Sequence, residues 1–424
     1  MQTVVSPQPQ RHSPKQSFFE VPAPWWKHRI DQFALTAALS VVPLSIAASE
    51  TLLAIALCAR LLRLARWQDR LIVPLACSYW LPWAALEIVV WLHSPRPGAG
   101  KGEMRHLLLI GALFVTLPCL ASVPEKVRVW RLIFVTATFG SAVLVIGFFA
   151  RAIRYRHELA MGGDAAFYLR SGGLLHHWMV YATVEILVVG ALLEFRSVYV
   201  EERRWLTPAL VVHCLAIVLS LTRSLWLASL IVFGLHLAWR RSKWFWVLPL
   251  LPVFVFLLVP GPIHQRMTES LLPDYYSNQE RVEMWRVGWR MIREHPIAGI
   301  GPGLVEEQYT HYLRPGEPVP AYHGHLHSNP MQLAAQFGLV VLGASILFLA
   351  VLVRDLLRSW RGAQTRDEQV LCRSGLLGVA GFLMVGLMDY TYGHSLGLIL
   401  LSFVVIAPPG LARRHKPPHG IAWP

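Results

Sequence analysis

Charge is scarce in this sequence. Only 15% of its 424 residues are Asp, Glu, Lys or Arg, where soluble proteins carry about 25%, so an ordinary water-soluble domain is excluded. Acidic residues are scarcer still, 25 against 39 Lys and Arg, which leaves a net charge of +14. The five cysteines, Cys58, Cys77, Cys119, Cys214 and Cys372, fall in or beside apolar segments without paired or metal-ligand spacing, so neither a disulfide framework nor a cysteine metal site is implied. The first 30 residues hold no signal-peptide core or cleavage site of small residues, which leaves the first span as an uncleaved anchor.

Hydrocarbon is abundant. Apolar residues make up 54% of the chain and recur in stretches of about 16 to 23, the length a helix needs to cross about 30 Å of bilayer core. The expected fold is an all-α polytopic membrane protein of about twelve transmembrane helices, near 31–48, 51–67, 71–92, 106–122, 131–150, 175–194, 206–221, 224–239, 244–260, 331–353, 374–389 and 395–408. The organisation that follows is a cytoplasmic tail at 1–30, spans one to nine at 31–260, an outer loop at 261–330, spans ten to twelve at 331–408 and a second tail at 409–424.

The positive residues are spread through short loops, a pattern of membrane topology and not of nucleic-acid binding. With the N-terminus cytoplasmic, about 25 of the 39 Lys and Arg lie inside and about 14 outside, as the positive-inside rule requires. Dense inner clusters such as Arg60, Arg63, Arg66 and Arg70, or Arg240, Arg241 and Lys243, serve topology. Topology does not account for Arg151, Arg154, Arg156, Arg170, Arg223, Arg281, Arg286, Arg290 and Arg293 on the other side. These suit an anionic ligand such as a lipid phosphate, or the headgroups of membrane lipids.

The loop at 261–330 is far longer than a helix connection needs. Within it, Glu280 to Glu294 reads as an amphipathic helix at the membrane surface: Val282, Trp285, Trp289 and Ile292 recur at spacings of three and four beside a stripe of Arg286, Arg290 and Arg293. His295-Pro296 ends it, and Gly299-Ile300-Gly301-Pro302-Gly303 follows, a turn whose amides either approach a phosphate or simply reverse the chain. His323-Gly324-His325-Leu326-His327-Ser328-Asn329-Pro330 then gathers three histidines before the tenth span. Histidine is suited to accept a proton near neutral pH. Zinc would need further ligands, and the loop has no cysteine and no His-Glu-x-x-His. Spacing alone leaves open a catalytic base or ordinary interfacial histidines.

The run from His327 to Gly338, His-Ser-Asn-Pro-Met-Gln-Leu-Ala-Ala-Gln-Phe-Gly, resembles the histidine motif of the O-antigen ligase and polymerase superfamily. Arg281-x-x-x-Trp285 followed by His295-Pro296-Ile297-Ala298-Gly299-Ile300-Gly301 is similar to that family's loop signature, and Thr222-Arg223-Ser224 to its outward-facing arginine motif. The resemblance covers about residues 206 to 340 and extends to the remainder by topology. It implies a multi-pass protein of the bacterial inner membrane with C-type glycosyltransferase architecture and its active site in a periplasmic loop. The implied reaction is metal-independent, inverting transfer of a glycan from undecaprenyl diphosphate, without cofactor, and for the ligase branch the acceptor is lipid A-core oligosaccharide. The chain contains no Asp-x-Asp motif to hold a divalent cation on the donor, so arginine would take that part.

On this footing His327 is the expected base, with His325 as its rival and a substrate contact. Arg223 and Arg281 would hold the diphosphate, with Arg286 in reserve. Asn329 would supply an amide, since Ser328 stands where many relatives have asparagine. Asp389, at the outer end of the eleventh span, would orient a histidine or cap the bundle, and Arg170, ahead of His176 and His177, would touch glycan or phosphate. The acceptor separates the ligase from its alternatives, an O-antigen polymerase or a protein O-oligosaccharyltransferase. A compact length and a single large late loop favour the ligase, acting as a monomer. A lipid-linked glycan transporter is the reading outside this class: Glu87 and Glu185 lie within spans, where acids often line a path, unless they pair inside the bundle.

Overall fold

The computed structural model describes residues 29–68, 70–259, 261–320 and 323–409; the two expected tails, 1–30 and 409–424, lie outside these except at their inner ends. Among the described residues the chain is helical without a strand. The order is α1 (Ile30–Ser40), α2 (Ile46–Ala65), α3 (Leu75–Leu92), α4 (Arg105–Thr116), α5 (Val123–Arg154), α6 (Arg156–Ala160), α7 (Ala165–Leu169), α8 (Trp178–Val198) and α9 (Arg203–Leu219). It continues through α10 (Arg223–Trp239), α11 (Leu250–Leu258), α12 (Pro262–Leu271), α13 (Tyr276–Glu294), α14 (Val305–Gln308), α15 (Asn329–Arg361), α16 (Arg366–Met388) and α17 (Ser395–Ile406).

The protein is a multi-pass membrane protein: six helices among the described residues are long and apolar enough to cross a bilayer, namely α3, the segment Ala99–Cys119 that contains α4, α5, α8, α15 and α16. α10 and α17 are shorter apolar helices. Each expected span overlaps a helix, but three are too short to cross alone: α17, with 12 residues, and α1 and α11. At about 1.5 Å per residue, the 11 residues of α1 reach about 16 Å and the 9 of α11 about 14 Å. Proline is the cause at both: Pro43 follows α1 and Pro249 precedes α11, and neither can sit inside a helix without loss of a hydrogen bond. α1 starts beside the first turn of α5, where Gln32 donates to Glu125 at 2.6 Å, and ends near its middle, where Thr136 donates to the Ser40 carbonyl. It then turns back into α2.

α8 is the central helix. Its apolar window is 94% buried, so it faces other helices and not lipid. Its partner α16 comes so close that a Cβ added at Gly381 would stand 2.5 Å from Cγ1 of Ile186. Such backbone approach is what packs helices in lipid, where burial of apolar groups gains little. The acids inside the bundle are paired with histidines: Glu87 with His106 at 2.7 Å, Glu185 with His213 at 2.7 Å, and Glu194 with His236 at 2.6 Å. Glu87 and Glu185 thus make interhelical contacts within the bundle.

α15 is broken, and the break is built from two distant stretches of sequence. Gly338 has φ 83° and ψ 173°, a conformation close to glycine-only space. The opened helix leaves carbonyls at Ala335 and Gln336 that accept from the amides of Ile300 at 2.9 Å and Gly301 at 3.0 Å, while the Leu339 amide donates to Pro296 at 2.7 Å. The segment 296–301 is spliced into α15 as a substitute turn, which satisfies the Ala335 and Gln336 carbonyls and the Leu339 amide. The glycine turn therefore presents the Ile300 and Gly301 amides to α15 and not to a phosphate. α13 packs beside it, with Met284, Val287, Met291, Ile292, Ile300 and Leu326 forming a small core separate from the bundle.

Candidate active site

One end of the bundle brings together the starts of α8, α10, α15 and α17 and the end of α16, with α12 and α13 beside them. Asp389, which caps α16, sits at the centre with 2% of its surface exposed. It accepts hydrogen bonds from Arg281 of α13 at 3.0 Å and from the Ser224 hydroxyl of α10, and faces Nδ1 of His327 at 3.6 Å. The last is an ion-pair distance, longer than a formed hydrogen bond. Burial pushes the carboxyl of Asp389 up, but the facing His327, the Arg281 charge and the Ser224 hydroxyl bring it below the ordinary carboxylate value. It stays ionised at neutral pH.

His327 is held by its neighbours. Its φ of 46° is rare for a residue with a Cβ and costs roughly 1–3 kcal/mol. On one side Leu326 is buried in the small core, its carbonyl taken by the Trp285 indole at 3.0 Å and its amide by Gln332 at 2.8 Å. On the other, Asn329 accepts from the amides of Thr391 at 2.8 Å and Tyr392 at 3.2 Å and donates to the Thr391 hydroxyl at 2.8 Å. A strained residue clamped on both sides is the pattern of a functional position. Asn329, expected to offer its amide to substrate, spends both ends of that amide on this clamp. His325 accepts from the backbone amide of His327 through Nδ1 at 3.4 Å, and the two rings meet edge to face with centroids 4.3 Å apart.

The arginines divide. Arg281 and Arg223 join the cluster, Arg223 through Asn278 and through the Ser277 hydroxyl at 3.2 Å. Arg170 lies over the Trp178 ring at 3.9 Å. Arg286 does not join: its side chain is 60% exposed and pairs with Glu283 one turn back at 2.5 Å. Arg290 is also elsewhere, bonded to Glu317 and the Tyr312 carbonyl. Arg266, which no motif marked, is buried and bonds the Leu221 carbonyl at 3.3 Å, Glu269 at 3.1 Å and Tyr275 at 3.3 Å. Nothing in the sequence singled it out.

Arg170, Arg223, Arg266 and Arg281 lie close enough to repel one another. Asp389 and Glu269 neutralise Arg281 and Arg266, whereas Arg170 and Arg223 are in contact with no carboxylate among the described residues. Burial first, and then the neighbouring guanidinium of Arg266, lower Arg170 to about 10, so it keeps its charge at neutral pH. Cations gathered in this way form a site for an anion. Arg223 also borders an apolar groove of about 480 Å³ between α9, α10, α11 and α12, whose walls include Trp226, Phe233 and Leu251.

Two histidines near the centre are held neutral. Burial, then the charge of His327, lowers His325 to about 3; burial, then His177, lowers His394 to about 4. An unfolded histidine takes its proton near pH 6.5, so the unfolded chain gains protons there while the folded one does not. Stability from these rings is full above about pH 6.5 and is lost as pH falls toward 4 and then 3. The melting temperature in detergent is expected to be on the order of 5 °C lower at pH 5 than at pH 7.5. His394→Asn should shrink that difference, and a flat pH profile in the parent protein would show the rings to be solvated.

Residues 208–346 match the family model described as O-Antigen ligase. That stretch runs from α9 to the middle of α15 and contains Arg223, Arg281, His327 and the break at Gly338, but not Arg170 or Asp389. No curated protein matches the chain.

Proposed function

We propose, from the match of residues 208–346 to the family model described as O-Antigen ligase, that the protein is a membrane glycosyltransferase that moves a glycan from undecaprenyl diphosphate to lipid A-core oligosaccharide at the periplasmic face of the inner membrane. The observation that carries this reading is the pair of guanidiniums without carboxylate partners among the described residues, Arg170 and Arg223, with Arg223 bordering an apolar groove. A diphosphate on a long hydrocarbon has that form: two phosphates for the arginines and an isoprenoid chain for the groove.

In the proposed step, Asp389 holds the proton of His327 on Nδ1, leaving Nε2 to take the proton of an acceptor hydroxyl. The acceptor oxygen bonds to the anomeric carbon as the bond from that carbon to the diphosphate breaks, with inversion. Undecaprenyl diphosphate leaves with the bonding electrons, and Arg223, Arg170 and Arg281 stabilise the charge that develops on it. Arginine is suited to this because its planar fork meets two phosphate oxygens at once.

The test is reconstitution in liposomes without added metal, with undecaprenyl-diphosphate-linked glycan as donor and either lipid A-core or a second lipid-linked glycan as acceptor. Transfer to lipid A-core supports the ligase, transfer only to the lipid-linked glycan points to a polymerase, and no transfer to either overturns the proposal. A hydrogen bond to a charged group contributes about 1.5–3 kcal/mol, so Arg223→Ala should raise the donor KM about tenfold to a hundredfold. An unchanged donor KM would remove Arg223 from the donor site.

A further inference from the structure

Arg266 of α12 is only 2% exposed, so it can act on a ligand only through other groups. Its guanidinium reaches two loops at once. Nε donates to the Leu221 carbonyl at 3.3 Å, and Nη1 donates to the Tyr275 hydroxyl at 3.3 Å and to Glu269 at 3.1 Å. Glu269 neutralises it in place. Of the charges around Arg170 and Arg223, that of Arg266 acts most strongly on each, so it stands near both.

The first arm leads to Arg223. Leu221 lies in the turn between α9 and α10, fully buried and with φ 53°, a strained backbone for a residue with a Cβ. Such a turn persists only when its neighbours hold it, and Arg266 holds its carbonyl two residues before Arg223, the first residue of α10. The end of α12 acts on the side chain as well. The Asn278 amide donates to the carbonyls of Glu269 at 3.0 Å and Leu272 at 2.8 Å, which turns its oxygen to the Arg223 guanidinium. The second arm leads to Arg170. Tyr275, accepting from Arg266, donates to Asp164 at 2.8 Å, and the other oxygen of Asp164 caps α7 through the amides of Ala166 at 2.6 Å and Phe167 at 3.2 Å. Arg170 ends α7, with its guanidinium over the Trp178 ring.

Two like-charged side chains on separate loops repel each other and, left free, would spread apart. A ligand would then have to bring them together against the loss of their freedom. We propose that Arg266 is a positioning residue that sets Arg223 and Arg170 as one preformed pair for a diphosphate, through Leu221 on one side and through Tyr275 and Asp164 on the other. The proposal rests on the glycosyltransferase reading above and adds to it the residue that organises the donor site.

Arg266→Lys keeps a charge beside Glu269, so the carboxylate is not left buried alone, but lysine lacks the planar fork that meets several partners at once. The probe is undecaprenyl diphosphate itself, with its Kd measured on the full chain purified in detergent. Kd should rise about tenfold in Arg266→Lys, the loss of a charged hydrogen bond, with a melting temperature close to the parent's. In liposomes the donor KM should rise with it while the acceptor KM stays unchanged. A merely structural role would lower kcat through loss of folded protein and leave both KM values alone. Tyr275→Phe cuts the second arm only and should raise Kd about threefold. That effect should vanish when Arg170 is already alanine and should multiply undiminished with Arg223→Ala.

A Kd in Arg266→Lys equal to the parent's overturns the proposal, and so does a Tyr275→Phe effect as large in Arg170→Ala as in the parent. In either case the parent's own binding of undecaprenyl diphosphate keeps the donor reading. If the parent does not bind it, both proposals fall together.

Discussion

His327→Ala should lower glycan transfer by about a hundredfold to ten-thousandfold at saturating donor and acceptor, the range of general-base assistance, while the protein stays in the membrane. The loss should appear in kcat, with donor KM little changed, because the proton is taken in the transition state and not on binding. His325 stands beside it but is a poor alternative. A ring lowered to about 3 by burial holds a proton too weakly to draw one from a hydroxyl, since an effective base has its pKa near the working pH. His327 instead faces the carboxylate of Asp389 through Nδ1 at 3.6 Å, which leaves Nε2 as its nitrogen for an acceptor hydroxyl. The check is the initial rate of transfer in liposomes for His327→Ala and His325→Ala side by side. More than a tenth of the parent rate in His327→Ala would exclude it as the base, and a larger loss in His325→Ala would move that part to His325.

Gly338→Ala should destabilise the protein by at least about 3 kcal/mol, roughly a hundredfold in the folded-to-unfolded ratio. An alanine at φ 83° and ψ 173° is strained in itself, and its Cβ would lie 2.0 Å from the Ile297 carbonyl oxygen. That oxygen belongs to the substitute turn, so the added methyl forces 296–301 out of the break and unsatisfies the carbonyls of Ala335 and Gln336 together. Gly343→Ala on the same helix is the control, because a Cβ there meets nothing within 4 Å. Alanine in a helix is favoured over glycine by about 1 kcal/mol, so this change should be neutral or mildly stabilising. Melting temperatures and the yield of monodisperse protein in detergent would report both. Equal behaviour of the two variants would mean that the break at Gly338 is not a fixed feature.

The helical spans were readable because crossing hydrocarbon demands a long apolar run, and such runs are local. The amphipathic helix expected over Glu280 to Glu294 is found as Tyr276–Glu294, since its period of three and four is also local. α12 was not read, being a polar helix of 10 residues without an apolar stripe long enough to register. The short helices α1 and α11 show the limit of hydropathy: residues apolar enough to enter a membrane need not continue as one helix once proline interrupts them.

The site was legible in part. His327, Arg223 and Arg281 stood in recognisable local patterns, and the structure brings them to one end of the bundle around Asp389. Arg286 shared a stripe with its neighbours, but 100° per residue turned it to the exposed side, where Glu283 is nearer than any site residue. Asn329 carried the right chemistry, yet the amides of Thr391 and Tyr392, 62 and 63 residues away, were there to take it. Arg266 and His394 had no motif at all.

What the sequence alone determined is the class of molecule and the residue types gathered in its longest loop: scarcity of charge compels a membrane solvent, and the histidines and arginines of 261–330 are side chains suited to proton transfer and anion binding. The tertiary structure decided which of those residues act together. It set which arginines remain without carboxylates and joined the stretch 296–301 to the broken helix at Gly338. It also placed Arg266 against both the Leu221 carbonyl and the Tyr275 hydroxyl. These are contacts between segments far apart in the chain, and nothing local encodes them, because a side chain's partner is chosen by where the folded backbone delivers it.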